Sequence, residues 1–310
     1  VDTTDHGGSS YVSHVGHAAS AIRNGKCDVA VVTLAGRPRQ STKSGPRVRN
    51  HAAAFESIYG TSTLTVYGMA MRRHMHEYGT TPEQLAEVKV AASEHAQYND
   101  EAFLQDPVTV EEVVESRYVA EPLKLMDSCV VTDGGGAFVM VSEDARADLD
   151  RECVEVLGHG EYVDHHGTGQ DFDITETGAR VSGPRAFDEA GLGPEHVDYA
   201  SIYDSFTITV VETIEDLGFC EKGDGGEFVA DGNLRTDGEL PFNTDGGGMC
   251  NNHPSNRGGV TKVIEAVRQL RRETNPEVQV DADIALAHGT GGGGMGRHQS
   301  ATTILGREDR

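Results

Sequence analysis

Four short segments of this 310-residue chain carry groups that could move protons or hold negative charge. His253 precedes a proline in Asn-Asn-His-Pro, and His288 opens His-Gly-Thr-Gly-Gly. An imidazole changes charge near neutral pH, so either ring could shuttle a proton. Tyr203, in Tyr-Asp-Ser-Phe-Thr, brings a phenol that can donate to a developing oxyanion or, with a lowered pKa, accept a proton. The fourth segment, His6-Gly7-Gly8-Ser9-Ser10, leads into a helical pattern, where main-chain amides can hold a carbonyl oxygen. Each has an ordinary alternative: a turn histidine, a buried tyrosine bonded to a carbonyl, a structural His288. Ser9 or Ser10 as nucleophile would need an adjacent base.

Other chemistry is poorly served. Cys27, Cys129, Cys153, Cys220 and Cys250 form no CxxC pair, which argues against disulfides and structural zinc and fits a reducing cytoplasm. Cys250 lies near His253 but among glycines, so it reads as a small apolar filler. His6, His14 and His17 lack a carboxylate or cysteine to complete a metal site, and no metal is expected. Gly289 to Gly296 could suggest a phosphate loop, but a strand follows it instead of a helix, so it reads as a strand-to-strand turn.

The elements that must position these groups are legible from spacing. Ser13 to Asn24 reads as a buried helix stopped by Gly25, and Val29 to Leu34 as a buried strand. A polar stretch, Arg37 to His51, precedes helical spacing over Tyr67 to Tyr78. Thr81-Pro-Glu-Gln is a capping box with proline at the first helical position, and Thr109-x-x-Glu112 repeats it for a short helix ending near Arg117. Gly134 to Gly136 introduce a strand at Ala137 to Val141. The pattern restarts with a strand at Val154 to Leu157, a helix ending at Gly191 and a strand at Tyr199 to Ile202. Phe206 to Leu217 is rich in β-branched residues but keeps a helical apolar face, and is assigned to helix. Helix Val260 to Arg271 and strands Ile284 to Ala287 and Ala301 to Leu305 follow. The alternation predicts an α/β protein with mainly parallel, helix-covered sheets.

Asp and Glu number 50 against 26 Lys and Arg, a formal charge of -24, so nucleic acid and anionic membranes would be repelled. Lys26, Lys43, Lys89, Lys124, Lys222 and Lys262 are the only lysines, and acidic with lysine-poor composition suggests a halophile. No apolar run approaches the roughly 20 residues of a membrane span, so a soluble cytoplasmic protein is expected.

Tyr67–Thr81 (YGMAMRRHMHEYGTT), Met126–Gly136 (MDSCVVTDGGG), Tyr203–Thr207 (YDSFT), Asn243–Pro254 (NTDGGGMCNNHP) and His288–Gly292 (HGTGG), in this order, resemble the thiolase superfamily in its sterol-carrier-protein-x and lipid-transfer branch. The resemblance implies two βαβαβ-type halves in a five-layered α-β-α-β-α thiolase fold. The halves are set at 1–150, with an inserted loop region about 51–125, and 151–310. Family members carry further strands ahead of the glycine turn, so the first half is expected to be incomplete and to expose apolar faces. His51 to Glu121 would close over the active-site crevice between the halves.

The same resemblance places the nucleophilic cysteine at Gly8 and the second, acid/base cysteine at the His288 turn, and neither is present. His253 takes the histidine of Gly-His-Pro, with Asn252 for the glycine, and Tyr203 stands where relatives carry asparagine or histidine. Catalysis is therefore expected from His253, Tyr203 and His288. Gly8, Ser9, Asn243, Gly246, Gly247, Gly291 and Gly292 are expected to hold substrate or oxyanion. Without a cysteine, this chemistry implies retro-aldol or Claisen-type bond cleavage or formation on acyl-CoA. The alternatives are an acetyl-CoA C-acyltransferase or a non-catalytic acyl-CoA-binding subunit. Coenzyme A would enter only as part of the substrate, with no permanent cofactor. A homodimer and an OB-fold partner of the DUF35 type are the implied assemblies.

Overall fold

The computed structural model describes residues 1, 3–40, 62–164, 173–292 and 299–308, without the side chains of 256 and 257. The predicted Arg37–His51 stretch and the start of the His51–Glu121 region therefore lie partly outside the described residues, as does the end of the Gly289–Gly296 turn.

Helix α1 (Ser10–Arg23) starts three residues ahead of the predicted Ser13, because a 3-10 turn over Gly7–Ser9 feeds directly into it. Strand β1 (Val29–Gly36) follows. Helix α2 (Thr63–Tyr78) opens on a Ser62/Thr65 capping box and ends at left-handed Gly79. Helices α3 (Pro82–Ala96) and α4 (Val110–Glu115) start on the two capping boxes read from sequence, at Thr81/Gln84 and Thr109/Glu112. A small ribbon, β2 (Tyr118–Ala120) and β3 (Leu123–Lys124), leads to β4 (Gly134–Val141), which includes the glycines expected to precede it. Strand β5 (Val154–Val163), helix α5 (Ala179–Ala190), strand β6 (Tyr199–Ile202) and helix α6 (Thr207–Leu217) come next. Helix α7 (Gly259–Leu270) and strands β7 (Ile284–Gly291) and β8 (Gln299–Arg307) complete the order. In α6 the β-branched run is helical because Ile208, Val210, Val211, Ile214 and Leu217 are all buried, so tertiary packing overrides propensity.

The larger sheet runs β5-β8-β7-β6, and β1 pairs with β4. Among the described strands only β6 and β7 pair in parallel; β5–β8, β7–β8 and β1–β4 are antiparallel. This corrects the expectation of mainly parallel sheets. Strand β8 begins too soon after the end of β7 for the crossover that a parallel pair would need. Strand β7 also absorbs Gly289 to Gly291, which the sequence assigned to the turn.

Each sheet face has its own core. Ala285, Ala287, Ala301 and Leu305 pack with Val12 and Val15 of α1 and with Val263, Ala266 and Leu270 of α7. Leu286 and Ile304 face the other way, with Phe187 of α5 and Ile208 and Ile214 of α6. Phe138 and Met140 of β4 pack on the far side of the α1/α7 layer. The described layers are therefore α5/α6, the large sheet, α1/α7 and the β1–β4 ribbon, an α-β-α-β order. The ribbon's outer face leaves Val29, Val31 and Val139 exposed at 52%, 60% and 60%.

This contrast sets a stability test. Leu286→Ala, in the closed core, should cost about 2–5 kcal/mol in urea unfolding, and Val31→Ala about 0.5 kcal/mol or less. Equal losses would mean that the ribbon face is covered.

Candidate active site

The site is assembled by backbones that approach too closely for side chains. A Cβ at Gly8 would lie 2.3 Å from the Thr290 carbonyl oxygen and 2.5 Å from Cζ of Tyr203. A Cβ at Gly259, the first residue of α7, would meet the Gly8 carbonyl oxygen at 2.1 Å, and one at Gly289 would meet Cα of Ser9 at 2.8 Å. The glycine turn is thus wedged between the start of α7, the end of β7 and the Tyr203 ring. Tyr203 follows β6, and its main-chain N–H donates to the His288 carbonyl at 3.0 Å.

His253 closes the other side. Its ring stands edge-on to Tyr203, with centroids 5.2 Å apart and planes at 63°. Gly258 fits between them, since a Cβ there would sit 3.2 Å from Tyr203 Cε2 and 3.3 Å from His253 Cδ2. His253 is anchored through its main-chain N–H, which donates to Thr132 Oγ1 at 3.0 Å. Its Nε2 is shielded from solvent and unpartnered among the described residues. Burial lowers the imidazole pKa to about 4, opposed by the nearby Asp204 carboxylate and aided by the Lys262 ammonium. The ring is neutral at pH 7 and has an open acceptor.

The phenol of Tyr203 is the opposite case. Burial, with smaller contributions from Cys129, Tyr67 and Asp204, raises its pKa well above 10, so it acts as a donor and not as a base. Its Oη donates to the Ser255 carbonyl at 3.2 Å, the ordinary bond weighed for it from sequence.

Residues 160–307 match the family described as thiolase C-terminal domain-like. The chain is 37% identical over 241 residues to an acetyl-CoA acetyltransferase of Methanothermobacter thermautotrophicus, a match covering 77% of this chain and 63% of that enzyme's length. It is 33% identical over 302 residues to a steroid side-chain-cleaving aldolase of Thermomonospora curvata, covering 92% of this chain and 76% of the relative. The chain belongs to the thiolase superfamily. A solved Ltp2-ChsH2(DUF35) aldolase superposes with a TM-score of 0.88 at 31% identity, covering 98% of this chain and 79% of that one.

Within this superfamily frame the structure sorts the expected site residues. Tyr203, His253 and the Gly8 turn converge, and Gly291 and Gly292 pack against Gly7 of that turn. His288 does not join them. It alternates with Ala287 and Gly289 along β7, so its ring enters the opposite face of the sheet and bonds Thr302 Oγ1 at 2.9 Å and Thr290 Oγ1 at 3.1 Å. Both Ser9 and Ser10 hydroxyls serve the turn, donating to the His6 and Gly7 carbonyls, each at 2.7 Å. Asn243 clamps the end of β6, accepting from the Ile202 N–H at 2.9 Å and donating to its carbonyl at 2.8 Å. The Gly246 and Gly247 amides are already engaged by the Asn243 carbonyl and Asp245 Oδ1, each at 2.9 Å. Asn243, Gly246 and Gly247, with Asp245, therefore brace the loop that carries His253, and the two glycine amides are already engaged within it. Cys250 is buried 3.1 Å from Lys89 Nζ, and burial raises its pKa, which removes it as a nucleophile.

Two residues went unnoticed in the sequence. Asp204 accepts from the Gly248 and Met249 N–H groups at 2.8 and 3.1 Å, and Lys262 of α7 stands 3.1 Å from its Oδ1. Lys262, Glu265 and Gln269 recur at positions i, i+3 and i+7 on the buried side of α7, a polar stripe that the search for apolar periodicity passed over.

The buried histidines make stability depend on pH. Burial lowers His288 to about 3, whereas the unfolded ring titrates near 6.5. The folded pKa lies below the unfolded one, so unfolding takes up a proton throughout that window and stability falls as pH drops from about 6.5 toward 3. His288→Gln should flatten the fall in unfolding free energy between pH 6 and pH 5 by up to about 1.4 kcal/mol. An unchanged slope would show that His288 is protonated in the fold.

Proposed function

We propose that this chain breaks, and in reverse forms, the carbon–carbon bond beside a coenzyme A thioester by aldol chemistry. The supporting observation is the Tyr203 ring standing 2.5 Å from where a side chain at position 8 would begin. The cysteine of an acyl-transferring thiolase has no room at that point, and the serines beside it are engaged by backbone carbonyls. What remains is a neutral imidazole and a phenol standing edge-on to each other.

In the cleavage direction His253 Nε2 takes the proton of a β-hydroxyl. The electron pair of that O–H bond forms the new carbonyl, the Cα–Cβ bond breaks, and its electrons move onto the thioester oxygen as an enolate. Tyr203 Oη turns from the Ser255 carbonyl to donate to that oxygen, and a proton delivered to Cα completes a shortened acyl-CoA. Aldehyde or ketone leaves as the second product. Coenzyme A enters as part of the substrate, and no permanent cofactor is required.

The chain spans 63% of the length of the methanogen acetyltransferase, and the complete assembly belongs to the same proposal: a homodimer in the cytoplasm, paired with an OB-fold protein of the DUF35 type. The DUF35 pairing is supported by the solved aldolase, whose name includes such a subunit. The acyltransferase alternative is supported by the name of the methanogen relative, but it lacks a nucleophile here.

Incubation with a β-hydroxyacyl-CoA, followed by mass spectrometry, should detect a ketone or aldehyde together with the shortened acyl-CoA. His253→Asn and Tyr203→Phe should each reduce the rate about 10²–10⁴-fold. A covalent acyl adduct on the intact protein after exposure to acetyl-CoA would favour acyl transfer, and neither outcome would leave a binding subunit.

A further inference from the structure

Lys262 carries a buried ammonium that the reaction above does not use. Its side chain is 2% exposed, that of Asp204 is 1% exposed, and Nζ lies 3.1 Å from Asp204 Oδ1. That contact lacks hydrogen-bond alignment, and Nζ has no hydrogen-bond partner among the described residues. A buried ammonium with its hydrogens unused is costly, and such a group persists where its charge has a task.

The pair adjoins His253. A side chain at Gly248 would meet Asp204 Oδ1 at 2.9 Å and His253 Cδ2 at 3.2 Å, so carboxylate and imidazole border the same small space. Among the described residues Asp204 and Lys262 are the charged groups that act on the ring. The Tyr203 phenol, edge-on to the ring, is neutral, as is Cys129, which neighbours Tyr203 and Asp204 and whose thiol burial raises to about 12. Lys89 donates to the Met249 carbonyl at 2.8 Å. Glu265, one turn along α7 from Lys262, accepts from Thr244 Oγ1 at 2.9 Å.

Asp204 has two duties that conflict. Its two oxygens take the Gly248 and Met249 amides and so hold the turn that leads to His253. The same negative charge, left alone, would draw a proton onto that histidine and remove its acceptor. We propose that Lys262 is a positioning residue for the aldol centre: it neutralises Asp204, so that the carboxylate can brace the His253 loop while the imidazole stays in its neutral, proton-accepting form. The assignment rests on His253 acting as the base, but the charge balance it describes exists without substrate.

The test is therefore made without turnover first. The ring signals of His253 are followed by NMR from pH 3 to pH 8 in the wild-type chain, Lys262→Met, Asp204→Asn and Asp204→Asn/Lys262→Met. In Lys262→Met the midpoint should rise by at least one pH unit, and in the double variant it should return toward the wild-type value. Should Lys262→Met fail to fold, Asp204→Asn against the double variant gives the same quantity, since the unopposed ammonium should hold the midpoint at least one unit lower. Lys262→Arg should keep the wild-type midpoint. With β-hydroxyacyl-CoA, the acid limb of the kcat profile in Lys262→Met should move up in pH with the midpoint, so that at pH 5 the variant loses about half of its kcat or more and recovers toward pH 7, with KM little changed. A His253 midpoint insensitive to residue 262 would overturn the proposal even if aldol cleavage occurs. A shifted midpoint in a chain that releases no ketone would instead refute the aldol function and leave the charge balance standing.

Discussion

The Gly8 turn can reach the Tyr203 ring only because three glycines allow main chain to touch main chain. With Gly259 under its carbonyl and Gly289 beside Ser9, the turn sits deeper than any residue with a side chain permits. That single contact sets the relative position of α1, α7 and β7, and it carries both catalytic candidates with it. Tyr203 leaves β6 beside His288 of β7, while His253 enters on the loop that ends at α7. The contact also fills with an aromatic ring the place where a side chain at position 8 would project.

Burial then divides the proton roles between two side chains. The same desolvation that raises the phenol lowers the imidazole, since each is pushed toward its neutral form. Neutral tyrosine is a donor, neutral histidine with a bare Nε2 is an acceptor, and an aldol cleavage needs one of each. Cys129 and Cys250, also pushed toward the thiol form, offer no competing nucleophile. The loop carrying His253 keeps its shape through bonds made within it and to the end of β6. Asn243 clamps the end of β6, Asp245 holds Gly247, and Asp204 holds Gly248 and Met249.

Much of this was legible in the residues, and the failures share a cause. Capping boxes at Thr81 and Thr109 are local interactions, so their helices start where the sequence places them. Tyr203, His253 and Gly8 were singled out through motif order, and the fold brings them together. Strand direction was not legible, because it depends on partners distant in sequence, and only the short β7–β8 link hinted at antiparallel pairing. His288 was misplaced for a related reason: with strand period two, its side of the sheet follows from a register that Gly289 and Ser9 set through a contact between distant segments. Asn243, Gly246 and Gly247 lie beside the chemistry in sequence yet have their polar groups taken by neighbours. Lys262 was hidden on a helix whose apolar stripe drew attention away from its buried charge.

The central claim is that one imidazole and one phenol, held by the glycine turn, face the two oxygens of a β-hydroxyacyl thioester. A crystal structure of the full protein with a non-cleavable β-hydroxyacyl-CoA analogue tests it most directly. The account predicts the β-oxygen within about 3.2 Å of His253 Nε2 and the thioester oxygen within about 3.2 Å of Tyr203 Oη. An analogue bound with both oxygens turned away from these atoms, or seated on another surface, would contradict it.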